Sequence, residues 1–182
     1  MAGSDRGHRG PERRKQNRRG GADRRAGERR RGFDRRTERE WEPVRLDDVR
    51  DAANDEPALV AAAIDARTHA RARFSHFHVG AALEIVTGEV VTGCNVENAT
   101  YGLTICAERV ALFKALSDGH DLFTRIVVVA DTDDPTPPCG ACRQLLWEYC
   151  GDIEVVLANL SEVKKRLRLT ELLPFPFDAR LL

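Results

Sequence analysis

Two short motifs bring together residue types that bind and use a metal ion: Cys106-Ala-Glu-Arg109 and Cys139-Gly-Ala-Cys142. Cys139 and Cys142 stand three residues apart, so at the start of a helix they share one face and lie about 4.5 Å apart along its axis. Cys106 opens another predicted helix, and Glu108 follows in its first turn. The spacing therefore predicts one ion held at two helix N-termini, beside a carboxylate.

The ligand types favour a catalytic zinc ion. Cys106, Cys139 and Cys142 supply three thiolates and leave the fourth tetrahedral position open for water, whereas a structural zinc has four protein ligands. A lone Cys-x-x-Cys pair would fit half of a structural site equally well, but the two motifs together favour the open site. Three thiolates on Zn²⁺ leave one negative charge, which the positive ends of two helices and Arg109 are placed to offset.

Hydrophobic periodicity predicts the elements that must position these motifs. The predicted order is a helix over residues 57–72, strands over Val79–Val86 and Glu89–Val96, a helix over Cys106–Ser117, a strand over Phe123–Ala130, a helix over Gly140–Tyr149, strands over Ile153–Ala158 and Val163–Leu169, and a last turn at Leu172–Pro174. The apolar run from Ile126 to Val129 is typical of a strand that is buried on both faces. This alternation indicates an α/β fold with a mixed sheet between helices.

Charge divides the chain into two parts. Residues 1–40 hold 15 Lys and Arg against 7 Asp and Glu, a net charge of +8, and residues 41–182 carry −8. The first part has Phe33 as its only aromatic residue and almost no large aliphatic residue, which predicts a basic disordered extension over residues 1–43. One catalytic domain is expected over residues 44–182.

Composition also limits the expected compartment. No apolar run of about 18 residues is available for a membrane helix, and the basic N-terminus lacks the apolar stretch of a secretory signal. Five cysteines are too few for a disulfide scaffold, and three of them stand in metal-ligand spacing. We therefore expect a cytoplasmic protein without a membrane partner, in a reducing compartment that keeps these thiols available. Cys94 and Cys150 are expected to be small buried residues.

The motifs resemble those of the cytidine deaminase family. The shared segments are Gly93–Arg109 with the sequence GCNVENATYGLTICAER, Pro138–Gln144 with PCGACRQ, Phe77–Leu83 with FHVGAAL, and Leu172–Phe177 with LLPFPF. Together they cover about residues 57–178. The resemblance implies a cytidine deaminase-like three-layer α-β-α sandwich with a mixed five-stranded sheet, and the three-cysteine ligand set resembles the small, tetrameric branch that acts on nucleosides.

The resemblance implies a role for each matched residue. Glu108 would take a proton from water and return it to ring N3 and then to the departing ammonia, while oxygen attacks C4. For Arg109 the expectation comes from the charge of the three thiolates: its guanidinium would donate hydrogen bonds to the ligand sulfurs. The remaining matched residues would contact the substrate: Asn95 and Glu97 at the ribose hydroxyl, Phe77 stacked on the pyrimidine, the Ala107 backbone at the base, and Tyr101 and Phe177 in the site of an adjoining subunit.

The implied function is zinc-dependent hydrolytic deamination of cytidine and deoxycytidine to uridine and deoxyuridine, with release of ammonia, in pyrimidine salvage. The expected cofactor is one Zn²⁺ per subunit. The expected partners are a small pyrimidine nucleoside and further copies of the chain, in a homotetramer with shared active sites.

The sequence leaves three alternative functions open. A polynucleotide deaminase could hold phosphates with its Arg-rich extension, but the net charge of −8 over residues 41–182 disfavours nucleic acid as a partner. A related deaminase of a cytosine-containing antibiotic would share the cysteine motifs, although Asn95-Val-Glu-Asn98 favours an ordinary ribose. A non-catalytic zinc-binding interaction module would need a fourth protein ligand or lack an acid beside the metal.

Overall fold

Helices and strands alternate along residues 55–182, the part of the chain that the computed structural model describes. The helices are α1 (Glu56–Thr68), α2 (Ala107–Ser117), α3 (Gly140–Cys150) and α4 (Leu169–Leu172). The strands are β1 (Val79–Ile85), β2 (Val90–Cys94), β3 (Phe123–Ala130), β4 (Glu154–Ala158) and β5 (Val163–Arg168). Short 3-10 helices cover Tyr101–Leu103 and Ala179–Leu181. The predicted extension over residues 1–43 and the predicted domain start at residue 44 lie outside the described residues.

The strands form one five-stranded sheet in the order β2-β1-β3-β4-β5. Strands β3 and β4 run parallel, with Val127 opposite Val156, and the other neighbouring pairs run antiparallel. The turn between β1 and β2 contains Gly88 at a φ of 86°, a left-handed conformation that glycine adopts without strain. The predicted mixed sheet is confirmed.

Alternate residues of the central strand β3 face two separate cores, because successive side chains of a strand point to opposite faces. Ile126 and Val128 pack in a core that includes residues of α2 and α3. Val127 and Val129 pack in a second core with Leu59 of α1. The sheet therefore lies between α1 on one face and α2 with α3 on the other, as the predicted three-layer α-β-α sandwich requires.

The first helix ends earlier than predicted. It stops at Thr68 rather than at residue 72. The chain then pairs with the segment after β2, because the Arg71 amide donates to the Asn95 carbonyl at 2.9 Å and the Glu97 amide donates to the Arg71 carbonyl at 3.0 Å. Backbone pairing between segments more than 20 residues apart thus ends the helix earlier than the apolar periodicity predicts. Near the C-terminus, the short helix α4 precedes the predicted turn.

Gly93 of β2 determines how closely α2 packs on the sheet. A Cβ atom at this position would lie 2.4 Å from the carbonyl oxygen of Ala107 and 2.5 Å from the amide nitrogen of Ala111. These are backbone atoms, so only glycine leaves room for the approach. The contact holds the first turn of α2, which carries Glu108, beside the end of β2.

Gly93→Ala is therefore expected to destabilise the fold by about 2 kcal/mol or more, because a clash with backbone atoms is not relieved by rotating a side chain. Gly102→Ala is the matched control, since a Cβ atom there would meet nothing within 4 Å. Urea unfolding of both variants and the parent chain measures the difference. Equal stability of the two variants would show that this contact does not hold α2.

Candidate metal centre

Cys106 and Cys139 are the residues immediately before α2 and α3. Both have an extended backbone, with φ values of −70° and −66°. Their carbonyl oxygens accept hydrogen bonds from the amides of Val110 at 3.1 Å and Arg143 at 2.9 Å, in the first turn of each helix. Cys142 lies within the first turn of α3 and is buried. All three cysteines thus stand at helix N-termini, where the helix dipole stabilises a thiolate.

The three cysteine sulfurs form one cluster in which all lie within 4.8 Å of one another. The sulfurs of Cys106 and Cys139 are 3.8 Å apart, and those of Cys139 and Cys142 are 3.5 Å apart. Tetrahedral zinc with Zn–S bonds of about 2.3 Å needs its sulfurs about 3.8 Å apart, so the spacing fits. Within residues 55–182 no fourth His, Cys, Asp or Glu joins this group. Three ligands from this part of the chain would leave the fourth position of a tetrahedral ion to water.

The cluster concentrates negative charge. Hydrogen bonds from Cys142 and Arg109 lower the pKa of the Cys106 thiol to about 5. The hydrogen bond to Cys106 in turn raises the pKa of Cys142, because its proton is shared with the neighbouring thiolate. A divalent cation that replaces the shared protons would offset two of the three thiolate charges, and this exchange is the usual coupling between zinc binding and thiol deprotonation. The donor set therefore fits Zn²⁺.

Arg109 lies beside the cluster. Its Nη2 atom is 3.7 Å from the Cys106 sulfur and donates to the Thr104 carbonyl oxygen at 2.8 Å. Its Nε atom is buried and has no hydrogen-bond partner among the described residues. The guanidinium is thus held against a ligand sulfur, where it can withdraw electron density from the thiolate.

Glu108 is buried in the first turn of α2, with 5% of its surface exposed. Burial raises the pKa of its carboxyl to about 7, and the negative charge of Cys106 acts in the same direction. A carboxyl group with a pKa near neutrality can both accept and release a proton at physiological pH. The structure therefore places a carboxyl group with a pKa suited to proton transfer two residues from Cys106.

Asn95 and Glu97 contact the loop that carries Phe77. Asn95 accepts a hydrogen bond from the Val79 amide at 2.9 Å through Oδ1 and donates to the Phe77 carbonyl at 2.8 Å through Nδ2. Glu97 accepts hydrogen bonds from the backbone amides of the same loop. The Phe77 side chain is 41% exposed. Three of the predicted substrate-binding residues thus form one connected group.

The segment after β2 joins this group to the metal ligands. Val96 and Ile105 exchange backbone hydrogen bonds of 2.9 Å in each direction, as an isolated antiparallel bridge. Val96 lies between Asn95 and Glu97, and Ile105 directly precedes Cys106. The loop group and the cysteine cluster are therefore neighbours, and the predicted base contact, the backbone of Ala107, follows one residue later.

Tyr101 and Phe177 are largely exposed, by 76% and 57%. The Tyr101 ring meets Phe74 edge-on, with 6.1 Å between ring centroids and 74° between ring planes. The Phe177 carbonyl accepts a hydrogen bond from Gln144 Nε2 at 2.6 Å. These contacts lie outside the cysteine cluster, so the predicted role of both rings in an adjoining subunit stays a prediction.

Two residues that support the site have no role in the sequence-based interpretation. Arg143 donates from Nε to the Pro138 carbonyl and from Nη1 to the Leu172 carbonyl, each at 2.7 Å, and so fixes the residue before Cys139. The position of Arg143 within the Pro138–Gln144 motif was the sequence signal that could have identified it as a supporting residue. Ser75 donates to the carboxylate of Glu97, 22 residues away, a contact that no local pattern reveals.

Comparisons with known proteins agree with this site. The family model described as the cytidine and deoxycytidylate deaminase zinc-binding region matches residues 53–159. A cytidine deaminase of Halalkalibacterium halodurans is 51% identical over 126 residues, which are 69% of this chain and 96% of that protein. A more distant relative, a blasticidin-S deaminase of Bacillus cereus, is 33% identical over 108 residues, 55% of this chain and 76% of that protein.

A solved structure extends the agreement to the fold. The crystal structure of a cytidine deaminase from Burkholderia pseudomallei matches with a TM-score of 0.66 and 47% sequence identity. The match covers 68% of this chain and 100% of that chain. Sequence and structure therefore point to one family.

Proposed function

Since this chain belongs to the cytidine and deoxycytidylate deaminase family, we propose as its function the zinc-dependent hydrolytic deamination of cytidine and deoxycytidine. The products are uridine or deoxyuridine and ammonia, and the reaction serves pyrimidine salvage. The observation that carries this proposal is the open cluster of Cys106, Cys139 and Cys142 with the buried Glu108 beside it. Ammonia release from cytidine, measured together with zinc content, tests it.

Glu108 is the proton carrier of the proposed reaction. Zinc bound to the three cysteines would supply Lewis-acid activation of a water molecule. Glu108 accepts one proton from water as the water oxygen bonds to C4, and it delivers this proton to N3 of the pyrimidine. It then moves the remaining proton of that oxygen to the amine, the C4–N bond breaks, and ammonia leaves as the C4 carbonyl forms. The pKa of about 7 that burial gives this carboxyl supports both directions of transfer near neutral pH.

The neighbouring loop group binds the nucleoside. Phe77 stacks on the pyrimidine, the Ala107 backbone contacts the base, and Asn95 and Glu97 contact the ribose hydroxyl. The half-exposed Phe77 ring and the connection from Val96 to Ile105 support this arrangement, because they bring a free aromatic face close to the metal ligands.

The similarity to a blasticidin-S deaminase makes blasticidin S the alternative substrate to test. We expect cytidine to be deaminated with a higher kcat/KM than blasticidin S, because Asn95 and Glu97 match a ribose-binding pair. Both substrates release ammonia, so one assay compares them directly. A non-catalytic zinc module would release ammonia from neither.

Three of the four basic residues of β5 lie beside acidic side chains. Arg166 pairs with Glu56, Arg168 lies 3.2 Å from Asp152, and Lys164 lies 2.6 Å from Glu162. These three positive charges thus have acidic partners, which reduces their attraction for phosphates, whereas Lys165 of the same strand is exposed. This pairing supports a nucleoside rather than a polynucleotide as the substrate.

Deletion of residues 1–43 is expected to leave kcat and KM for cytidine unchanged, because no metal-binding, catalytic or substrate-binding residue lies in that segment. Steady-state kinetics of the full and shortened chains measure this. RNA binding at increasing salt is the companion experiment, since phosphate contacts weaken as salt rises. A shortened chain that fails to fold or loses activity would contradict the proposed boundary between extension and catalytic domain.

Arg109→Ala is expected to lower kcat by about 10–100-fold and zinc occupancy by less, because the guanidinium no longer withdraws charge from the Cys106 sulfur. Water at the site then ionises at higher pH, so the acidic limb of the pH–rate profile moves to higher pH. Lys114→Ala on the same helix is the control, since Lys114 instead donates to the Thr92 carbonyl. Wild-type kcat with an unchanged acidic limb would assign Arg109 no such role.

We further propose a homotetramer with shared active sites. Tyr101 and Phe177, which the family resemblance assigns to the site of an adjoining subunit, are 76% and 57% exposed, and the nearby Leu103 and Phe175 are 62% and 101% exposed. Contiguous exposed apolar groups of this kind mark interaction surfaces. Sedimentation equilibrium tests the assembly, which should have four times the 20.3 kDa mass of the chain.

The proposed location is the cytoplasm. The helices within residues 55–182 are all too short or too polar to cross a membrane. A zinc site of three thiolates also needs its cysteines reduced, and reducing conditions prevail in the cytoplasm.

A further inference from the structure

Residues 74–78, called here the aromatic loop, hold an unusual backbone conformation. His76 in the middle of this loop has a φ of 57°. This left-handed region is unfavourable for residues with a side chain, so the surrounding structure must hold the loop in place. The next residue is Phe77, the proposed platform for the pyrimidine. What holds His76 therefore also sets the position of that ring.

Glu97 holds the first half of the aromatic loop. Its Oε2 atom accepts the amide of Phe74 at 2.7 Å and the amide of Ser75 at 3.2 Å, and its Oε1 atom accepts the hydroxyl of Ser75. The Ser75 hydroxyl and the Phe74 amide lower the pKa of Glu97, which favours the ionised carboxylate that such contacts require.

The second half of the loop is held through its peptide groups. The Phe77 amide donates to the Ser75 hydroxyl oxygen at 3.0 Å. The Phe77 carbonyl accepts from Asn95 Nδ2 at 2.8 Å. The amide and the carbonyl of Phe77 are thus both hydrogen-bonded to side chains. Among the described residues, the Ser75 hydroxyl is the link between the Phe77 amide and Glu97.

We propose that Ser75 is a positioning residue that couples Glu97 to Phe77, so that one network sets the contacts to the ribose and to the base. This inference rests on the proposed function, in which Glu97 contacts the ribose and Phe77 stacks on the pyrimidine. A carboxylate has about four acceptor sites, and the loop uses three of those of Glu97. The remaining acceptor site accepts the ribose hydroxyl and lies on Oε1, the oxygen that also accepts the Ser75 hydroxyl.

Ser75→Ala removes the coupling and retains the ligands and Glu108. We expect KM for cytidine to rise about 10-fold with kcat within about 2-fold, because the lost hydrogen bond to a charged group affects binding more than the chemical step. Ser75→Thr retains a hydroxyl and should restore KM to within about 2-fold of the parent chain. Ser161→Ala is the matched control, since that hydroxyl donates to Asn159 at 3.0 Å in a turn between β4 and β5.

A readout without substrate separates this inference from the proposed function. Hydrogen exchange of the zinc-loaded chain, followed on peptides that cover residues 74–78, should be faster in Ser75→Ala and unchanged in Ser161→Ala. Unchanged exchange would overturn the coupling, whether or not the chain deaminates cytidine. If the parent chain had no cytidine deaminase activity and Ser75→Ala still exchanged faster than the parent chain, the proposed function would fail while the link from Ser75 to the loop stood.

The kinetic results decide the remaining cases. A rise in KM that Ser75→Thr reverses supports the coupling. A Ser75→Ala chain with unchanged KM would overturn it, even with faster exchange. A parallel fall in kcat, zinc content and melting temperature would also overturn it, because it would assign Ser75 to the general stability of the fold.

Discussion

Replacing Glu108 with glutamine is expected to lower kcat by about 10⁴-fold, because the amide keeps the shape of the side chain and loses the proton carrier. Glu108 is buried in the first turn of α2, burial raises its pKa to about 7, and no other acid occurs in the two cysteine motifs. Zinc content and nucleoside affinity should stay close to those of the parent chain, since neither depends on proton transfer.

Stopped assays of uridine formation, zinc analysis and nucleoside binding on the same sample separate these quantities. Glu148→Gln is the matched control, because Glu148 is an exposed glutamate on α3. A Glu108→Gln variant with only a few-fold lower kcat would remove Glu108 from the proton-transfer steps. A variant that lost zinc together with activity would instead make Glu108 part of the metal site.

Replacing Cys142 with serine is expected to reduce bound zinc from one ion per chain to about one tenth or less, and activity in proportion. Cys142 is buried within α3, and its sulfur lies 3.5 Å from that of Cys139. Serine keeps the size of the side chain but is not a thiolate, so the ion retains only two soft ligands. Zinc stoichiometry and ammonia release measure the effect.

Cys94→Ser is the control for this substitution, because Cys94 lies at the end of β2 and outside the sulfur cluster. Circular dichroism of both variants shows whether they remain folded. Full zinc occupancy in a folded Cys142→Ser chain would contradict the three-cysteine ligand set.

The elements of the sheet could be predicted closely because their signal is local. The strand predicted over Phe123–Ala130 has those bounds in the structure, since its continuous apolar run faces a core on each side. The end of α1 could not be predicted, because it depends on pairing between Arg71 and the segment after β2. Periodicity describes one element at a time, whereas this boundary is set by a partner distant in sequence.

In the candidate site, too, some features could be predicted from local sequence and others depend on distant contacts. The metal ligands follow from two short motifs, and their sulfurs meet in the structure because each motif opens a helix. The loop contacts of Glu97 could not be predicted, since its partners Phe74 and Ser75 precede it by more than 20 residues and belong to an irregular segment. Residue types predicted the chemistry, and the fold determined which contacts each residue makes.

The proposed activity is tested by one assay of the zinc-loaded full chain with cytidine, in which zinc, uridine and ammonia are measured on the same sample. We expect one zinc per chain, equal amounts of uridine and ammonia, loss of both products when a chelator removes the metal, and their return when zinc is restored. A folded chain with one zinc bound that releases no ammonia from cytidine would contradict the proposed activity.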